Sequence, residues 1–183
     1  MKQNLLVGQY IDLLRAYNEK INLFSRHSYD TLDFHVQDSI NLANIISNKG
    51  YRVMDMGSGS GLPSVILAIM NPQNRITAVE SKSKKCVFLK EAAKVLGLGN
   101  YSVQEMDIRE YVAHLKESPR IVTAKAFASY SDILKMIKPL IGRRIRLVVP
   151  ISKSQYEALL ATTQATFNLG YQSQGFYYVD QEF

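Results

Sequence analysis

Apolar residues follow one periodicity before residue 51 and another after it. Residues 3–21 and 29–47 place apolar side chains at helical spacing, so they predict two helices ahead of any strand, the second ending at Gly50. Beyond residue 51, short apolar runs alternate with stretches at helical spacing. The predicted strands are 51–56, 75–80, 101–106, 121–124, 145–151 and 171–179, and the predicted helices between them are 62–70, 83–96, 108–116, 130–138 and 153–168.

This alternation predicts an α/β fold built on a doubly wound, mainly parallel, Rossmann-like sheet with a helical N-terminal extension. We expect one domain over residues 1–183, in which residues 1–50 form a helical cap and residues 51–183 form the α/β core. The sequence shows no internal repeat, low-complexity tract or long linker.

Composition excludes several classes of protein. The longest apolar stretches are far shorter than a membrane span, and the N-terminus lacks the apolar core of a signal peptide. The single cysteine, Cys86, excludes an intramolecular disulfide and a cysteine-cluster metal site. We therefore expect a cytoplasmic protein with no membrane partner and no bound metal, and we expect a monomer.

The net charge of +6 favours a polyanionic partner, nucleic acid first, although a solvated basic surface explains it equally well. Basic residues form three clusters in the sequence, and we expect only one of them to contact nucleic acid. The clusters are Lys82, Lys84, Lys85, Lys90 and Lys94; Lys135, Lys138, Arg143, Arg144 and Arg146; and Arg15, Lys20 and Arg26. Tyrosines 10, 17, 29 and 130 either offer faces on which bases stack or belong to the core.

A glycine-rich turn follows the first predicted strand and opens the next helix. Gly57, Gly59 and Gly61 alternate there, as expected where the backbone turns sharply and a ligand approaches closely. A phosphate-binding dinucleotide fingerprint requires glycine at position 62, which is Leu62, and the carboxylate of Asp55 would oppose a pyrophosphate. The pattern disfavours an oxidoreductase and fits S-adenosylmethionine, which has cationic groups and no phosphate. The alternative is a tight turn without a ligand.

Candidate ligand-binding residues also follow the next two strands, because ligands bind at the carboxyl ends of parallel strands. Glu80 is placed to accept hydrogen bonds from both hydroxyls of a ribose, or else its charge favours the start of the following helix. Asp107, Ile108 and Arg109 lie where an adenine edge would be, and Asp107 is also suited to cap the next helix.

Lys125 follows the fourth strand and would face the cofactor or the methyl acceptor, or else is an ordinary exposed lysine. The segment lacks the Asn/Asp-Pro-Pro-aromatic motif that is typical of enzymes methylating exocyclic amines, and the Pro-Cys pair whose cysteine attacks a pyrimidine ring. The remaining class of methyl acceptor has a free lone pair, such as a ring nitrogen. Methyl transfer to such an atom depends more on the alignment of acceptor and cofactor than on a general base. His35 and Asp38 share one helix face, where they form either an acid–base pair or a structural tie between the cap and the core.

The chain resembles the bacterial small-subunit ribosomal RNA guanine-N7 methyltransferases once called glucose-inhibited division protein B. The resemblance covers nearly the whole sequence and is carried by five motifs. These are Ile21-Asn22-Leu23, His35-Val36-Gln37-Asp38-Ser39-Ile40, Asp55-Met56-Gly57-Ser58-Gly59-Ser60-Gly61-Leu62-Pro63, Val79-Glu80-Ser81-Lys82-Ser83-Lys84-Lys85 and Thr123-Ala124-Lys125-Ala126-Phe127-Ala128-Ser129.

The resemblance implies an enzyme that uses S-adenosylmethionine to methylate N7 of a guanine in 16S ribosomal RNA, as RNA or within an assembling 30S particle. On matching positions, the cofactor contacts fall on Gly57, Leu62, Ile108, Arg109 and Lys125. The chain departs from the family pattern in two places. Lys125 replaces an arginine and loses its planar fork, and a last strand beyond the predicted sixth is missing, which would leave a sheet edge exposed.

Two other functions compete with this one. The chain is alternatively a catalytically weak RNA- or ribosome-binding module that retains the fold, and methylated product separates it from the enzyme. A third possibility is a methyltransferase acting on a small molecule or a protein, which loss of RNA binding at low salt would support.

Overall fold

The computed structural model describes residues 2–24, 30–162, 168–169 and 177–183, so that Arg26, His27 and Tyr29 lie outside the described residues. The helices are α1 (Lys2–Asn18), α2 (Leu32–Ile46), α3 (Ser64–Met70), α4 (Ser83–Val95), α5 (Ile108–Ala113), α6 (Tyr130–Ile137) and α7 (Lys153–Thr162). A short 3-10 helix, Lys138–Leu140, follows α6. The strands are β1 (Arg52–Met56), β2 (Arg75–Glu80), β3 (Tyr101–Glu105), β4 (Ile121–Thr123), β5 (Arg146–Ile151), β6 (Asn168–Leu169) and β7 (Tyr177–Glu182). None of the helices within these ranges is long and apolar enough to cross a membrane.

The strands form one sheet in the order β3-β2-β1-β4-β5-β7-β6. β1 to β5 are parallel, and β7 runs antiparallel to both β5 and β6. The order reverses between β1 and β4, because the chain first moves outward through β2 and β3 and then crosses back. The loops after two such strands diverge and leave a crevice at their carboxyl ends. The predicted doubly wound, mainly parallel fold is confirmed.

Helices cover both faces of the sheet because successive side chains of a strand point to opposite faces. Val53 of β1 packs in a cluster with residues of α2 and α3, whereas Met54 and Met56 pack on the other face with residues of α5 and α6. All three side chains are essentially inaccessible to solvent. The sheet is therefore buried on both sides, and only the ends of its strands are open to a ligand.

The two N-terminal helices pack on the same side of the sheet as α3 and α4. Tyr10 and Leu14 of α1 are fully buried against a cluster that includes Ile66 and Phe88. The Tyr10 hydroxyl donates a hydrogen bond of 2.7 Å to the carbonyl oxygen of Ser60. The predicted helical extension is thus present, and α1 directly supports the glycine-rich turn.

The C-terminal part of the sheet differs from the prediction. Residues 168–169 form a strand at the point where the helix predicted over 153–168 was expected to end, and the strand predicted at 171–179 is observed at 177–182, with 171–176 outside the described residues. Because β6 precedes it, the strand predicted as the sixth is the seventh of the sheet; it pairs with β5 along its full length and also with β6, so β5 is not left as an exposed edge. Buried and exposed side chains do not alternate regularly in Tyr177–Glu182, because the polar residues Asp180 and Gln181 interrupt the apolar ones. The sequence pattern therefore did not indicate where this strand begins and ends.

Candidate active site

The glycine-rich turn adopts a backbone that only glycine accommodates easily. Gly57, Gly59 and Gly61 have φ angles of 67°, 57° and 91°, all in the left-handed region. A Cβ atom on Gly61 would lie 2.6 Å from Cγ2 of Val65, and one on Gly57 would overlap the ring of Phe127. At Gly59 a Cβ would meet nothing closer than 3.7 Å, so that this part of the turn is open toward a ligand.

Glu80, at the end of β2, is held against this turn. The residue is 7% exposed. One carboxylate oxygen accepts a hydrogen bond of 2.9 Å from the backbone N–H of Gly59, and the other accepts one of 2.8 Å from that of Lys82, just before α4. The carboxylate therefore fixes the turn relative to β2 and supports the start of the helix. Its predicted contact with a ribose stays a prediction.

A cavity of about 230 Å³ lies between the turn and the N-terminal segment. Four of the predicted cofactor-binding residues share its wall, namely Gly57, Gly59, Leu62 and Lys125. The remaining wall consists of Leu23, Phe24, Leu32, His35, Ser58, Ser60, Lys85 and Ala126. We call this space the turn cavity. The sheet thus brings Gly57 and Lys125, which are 68 positions apart in the sequence, to one site.

Lys85 contributes a cation to the turn cavity. It lies in the first turn of α4, and its Nζ atom is 3.9 Å from the position that a Cβ on Gly59 would take. Among the described residues, its Nζ atom has no acidic group or hydrogen-bond acceptor as a partner. From the sequence, Lys85 was expected only as a member of a basic cluster. Its place in the first turn of the helix that follows the strand-ending Glu80 is the signal that could have indicated the cavity.

Asp55 lies directly beneath the turn at the end of β1. Its side chain is completely buried, and neither carboxylate oxygen has a hydrogen-bond partner among the described residues. Burial away from water raises the pKa of this carboxyl group from 3.8 to about 7, although the hydroxyl groups of Ser58 and Ser64 act in the opposite direction. The side chain does not line the turn cavity. Its predicted preference for a cationic ligand stays a prediction.

Lys125 closes the other side of the turn cavity through a buried ion pair. Its Nζ atom lies 2.5 Å from Oδ2 of Asp38, and the two side chains are 11% and 7% exposed. Nζ also donates to the carbonyl oxygen of His35 at 3.1 Å, and the hydroxyl of Tyr178 donates to Oδ1 of Asp38 at 2.6 Å. Lys125 is therefore not an ordinary exposed lysine. Burial lowers its pKa, and the charge of Asp38 opposes that shift.

The structural tie predicted for the second helix is present, but Asp38 makes it through its side chain. His35 contributes its carbonyl oxygen, while its ring Nδ1 is buried without a hydrogen-bond partner in the described part of the chain. Burial, reinforced by the Lys125 charge, lowers the pKa of the His35 ring. The ring is therefore neutral at pH 7 and keeps an unused polar atom beside the cavity.

Ile108 and Arg109 lie outside the wall of the turn cavity. Ile108 is buried in the apolar core, and Arg109 is exposed. The carboxylate of Asp107 accepts a hydrogen bond of 2.8 Å from the backbone N–H of Arg109, so Asp107 does cap α5. The segment is nevertheless adjacent to the site, since the N–H of Met106 donates to the carbonyl of Glu80. The cofactor contacts of Ile108 and Arg109 stay predictions.

Several members of the basic clusters are paired within the chain. Lys90 pairs with Glu105, Lys135 with Asp132, and Arg146 with Asp180. The described residues include no group of histidine, cysteine, aspartate and glutamate side chains arranged to hold a metal ion. The contact of one basic cluster with nucleic acid stays a prediction.

The reversed strand order, the left-handed glycine turn and the acidic end of β2 together define a Rossmann-like fold of the methyltransferase type. The model of the family described as rRNA small subunit methyltransferase G matches residues 3–179. The chain belongs to this family, which confirms the resemblance found in the sequence.

Two curated relatives illustrate the match. "Ribosomal RNA small subunit methyltransferase G" of Orientia tsutsugamushi (strain Boryong) is 34% identical over 162 residues, which are 87% of this chain and 78% of that protein. The protein of the same name from Syntrophotalea carbinolica is 33% identical over 141 residues. That alignment covers 76% of this chain and 64% of the relative, so the chain spans less than two thirds of that protein's length.

Solved structures support the fold class. A ribosomal protein L11 methylase from Lactobacillus delbrueckii subsp. bulgaricus superposes with a TM-score of 0.62 at 15% identity, covering 86% of this chain and 79% of that one. Coclaurine N-methyltransferase bound to N-methylheliamine and SAH gives a TM-score of 0.51 at 21% identity, covering 61% and 35% of the two chains. At these identities the similarity concerns the fold.

Proposed function

We propose that this protein is an S-adenosylmethionine-dependent methyltransferase that modifies N7 of a guanine in 16S ribosomal RNA. The observation that carries the proposal is the turn cavity, which a chain of this family builds from Gly57, Gly59, Leu62 and Lys125. A non-catalytic RNA-binding module is not favoured, since the matching curated relatives are named as methyltransferases.

The residues of the turn cavity fit this cofactor. The open face at Gly59 admits close approach to the backbone. Glu80 lies beside it with carboxylate oxygens that have further lone pairs for ribose hydroxyls. Lys85 is placed to pair with the carboxylate of an amino-acid moiety. When bound, S-adenosylmethionine supplies a methyl group activated by a sulfonium.

Transfer to N7 of guanine needs no general base, because the acceptor is a lone pair and no proton leaves. The chain therefore has to align the acceptor and exclude water, and a buried, neutralised pair suits that task. Lys125 and Asp38 hold each other in place from two elements, α2 and the segment after β4. This ion pair lies where the methyl acceptor and the cofactor would meet.

We further propose a monomeric, single-domain, cytoplasmic enzyme whose partner is small-subunit rRNA, free or in an assembling 30S particle. The first experiment is titration calorimetry with S-adenosylhomocysteine, followed by transfer of labelled methyl groups to small-subunit rRNA and to 30S particles. N7-methylguanine is then located by borohydride reduction and aniline cleavage. Micromolar binding, about 8 kcal/mol, and one strong cleavage site are expected. Labelled RNA without such a site would refute the N7 assignment.

A further inference from the structure

A second cavity, of about 420 Å³, adjoins the turn cavity. The two share three wall residues, His35, Lys125 and Ala126. The volume lies within the roughly 300–1,000 Å³ of small-molecule sites. The remaining wall residues are Phe34, Asp38, Pro150, Ile151, Ser152, Lys153, Gln155 and Tyr177. We call this space the outer cavity.

The outer cavity lies where a methyl acceptor has to be. Its floor comes from the carboxyl ends of β4 and β5 and from β7, whereas the turn cavity lies over β1. A methyl group passing between two bound molecules requires reacting atoms about 3–3.5 Å apart. Cavities that have His35, Lys125 and Ala126 in common place two bound molecules next to each other. Ala126 in this wall has a φ of 50°, a strained conformation for alanine of the kind that clusters at functional sites.

The walls of the outer cavity combine an aromatic face with polar atoms. Phe34 is 51% exposed on α2, although such a ring is usually buried, and it meets the His35 ring edge-on with centroids 5.7 Å apart. Nδ1 of His35 is buried and has no partner among the described residues. An exposed aromatic ring in the wall of a cavity is suited to a flat heterocycle that stacks on it.

We propose that the outer cavity holds the acceptor guanine as a single base turned out of the RNA, with Phe34 as its stacking face. This inference rests on the proposed function. N7 of guanine lies on the major-groove edge, and the major groove of an A-form RNA helix is too deep and narrow for side chains to enter, so an enzyme reaches N7 when the base is turned out of the helix. In the transfer, the N7 lone pair forms the new N–C bond, the C–S bond breaks with its electron pair returning to sulfur, and the ring becomes cationic. The carboxylate of Asp38 lies in the same wall, paired there with Lys125.

The proposal is tested with Phe34→Ala and Phe34→Trp, using Val87→Ala as a control because Val87 is 58% exposed on α4 and lines neither cavity. Base stacking predicts that Phe34→Ala lowers kcat/KM for rRNA about 10- to 100-fold. Affinity for S-adenosylhomocysteine should stay within about twofold, since Phe34 is absent from the turn cavity. Phe34→Trp and Val87→Ala should retain transfer.

A second variant obstructs the cavity instead of removing its aromatic face. Gln155→Trp places a large ring at the rim, and it should abolish transfer while cofactor affinity and the melting temperature remain near those of the wild type. If the wild type methylates rRNA and kcat/KM is unchanged in both Phe34→Ala and Gln155→Trp, this inference is wrong but the proposed function still holds. A wild type that binds S-adenosylhomocysteine but methylates no rRNA would overturn the proposed function, and this inference with it.

Discussion

Replacing Asp55 by asparagine should change how the stability of the protein depends on pH. The carboxyl group is fully buried without a hydrogen-bond partner among the described residues, and this burial raises its pKa from 3.8 to about 7. Between these two values the folded state keeps a proton that the unfolded state releases. The contribution of Asp55 to stability is therefore complete below about pH 4 and is lost as the pH rises to about 7.

The size of the effect follows from the shift. A pKa rise from 3.8 to about 7 corresponds to roughly 4 kcal/mol, of which somewhat more than half falls between pH 5 and pH 8. Asparagine has nearly the same shape and does not ionise. The free energy of unfolding of Asp55→Asn, relative to wild type, should therefore increase by roughly 2–3 kcal/mol from pH 5 to pH 8.

Urea unfolding of both proteins at pH 5, 6, 7 and 8, without cofactor, measures this difference. Ionisable groups common to both proteins cancel when the two free energies are subtracted. Asp12→Asn is the control, because Asp12 is exposed on α1 and its substitution makes the same chemical change without altering a buried carboxyl group. A difference for Asp55→Asn that varies with pH no more than that for Asp12→Asn would show that the Asp55 carboxyl group is hydrated or paired, and would refute the reasoning.

Three further substitutions test the site. Glu80→Ala should weaken S-adenosylhomocysteine binding by about 1–3 kcal/mol through lost charged hydrogen bonds; calorimetry showing a change well below that would leave Glu80 with only its contacts to the turn and α4. Lys85→Gln should weaken S-adenosylhomocysteine about tenfold but leave methylthioadenosine unaffected, because the latter lacks the carboxylate; Lys84→Gln is the exposed control, and equal losses for both ligands would contradict the assignment. Lys125→Met should lower the free energy of unfolding by about 3–5 kcal/mol, since Asp38 stays buried without its cation; adding Asp38→Asn should restore much of it, and additive losses in urea unfolding would argue against a coupled pair.

The sequence predicted the first five strands and the helices between them to within a few residues. These elements have strong periodicities and clear ends, such as the three glycines after β1 and the capping carboxylate of Asp107 before α5. It failed at the last strands, where pairing depends on distant partners. The strand β7 is defined by its register with β5, for example Val179 opposite Val149. The residues of β7 alone do not specify which strand they pair with or in which register.

For the candidate site, the sequence identified the residues of the turn because backbone geometry restricts them to glycine. It did not identify the outer cavity, since Phe34 and Tyr177 come from elements more than a hundred residues apart that meet only in the folded sheet. Lys125 was recognised by its place after β4, but its ion pair with Asp38 was not. Such a contact depends on how α2 packs against the sheet, which residue spacing within α2 does not specify.

With the cofactor in the turn cavity and the acceptor base in the outer cavity, as proposed, the shared wall would make the two thermodynamically linked sites. A ligand that shifts His35, Lys125 or Ala126 from one side alters the surface presented to the other. Linkage is reciprocal, so whatever factor the cofactor imposes on the affinity for RNA, RNA imposes on the affinity for the cofactor. The order in which the two arrive, and the release of the demethylated cofactor once the base has become cationic, are then governed by one coupling free energy.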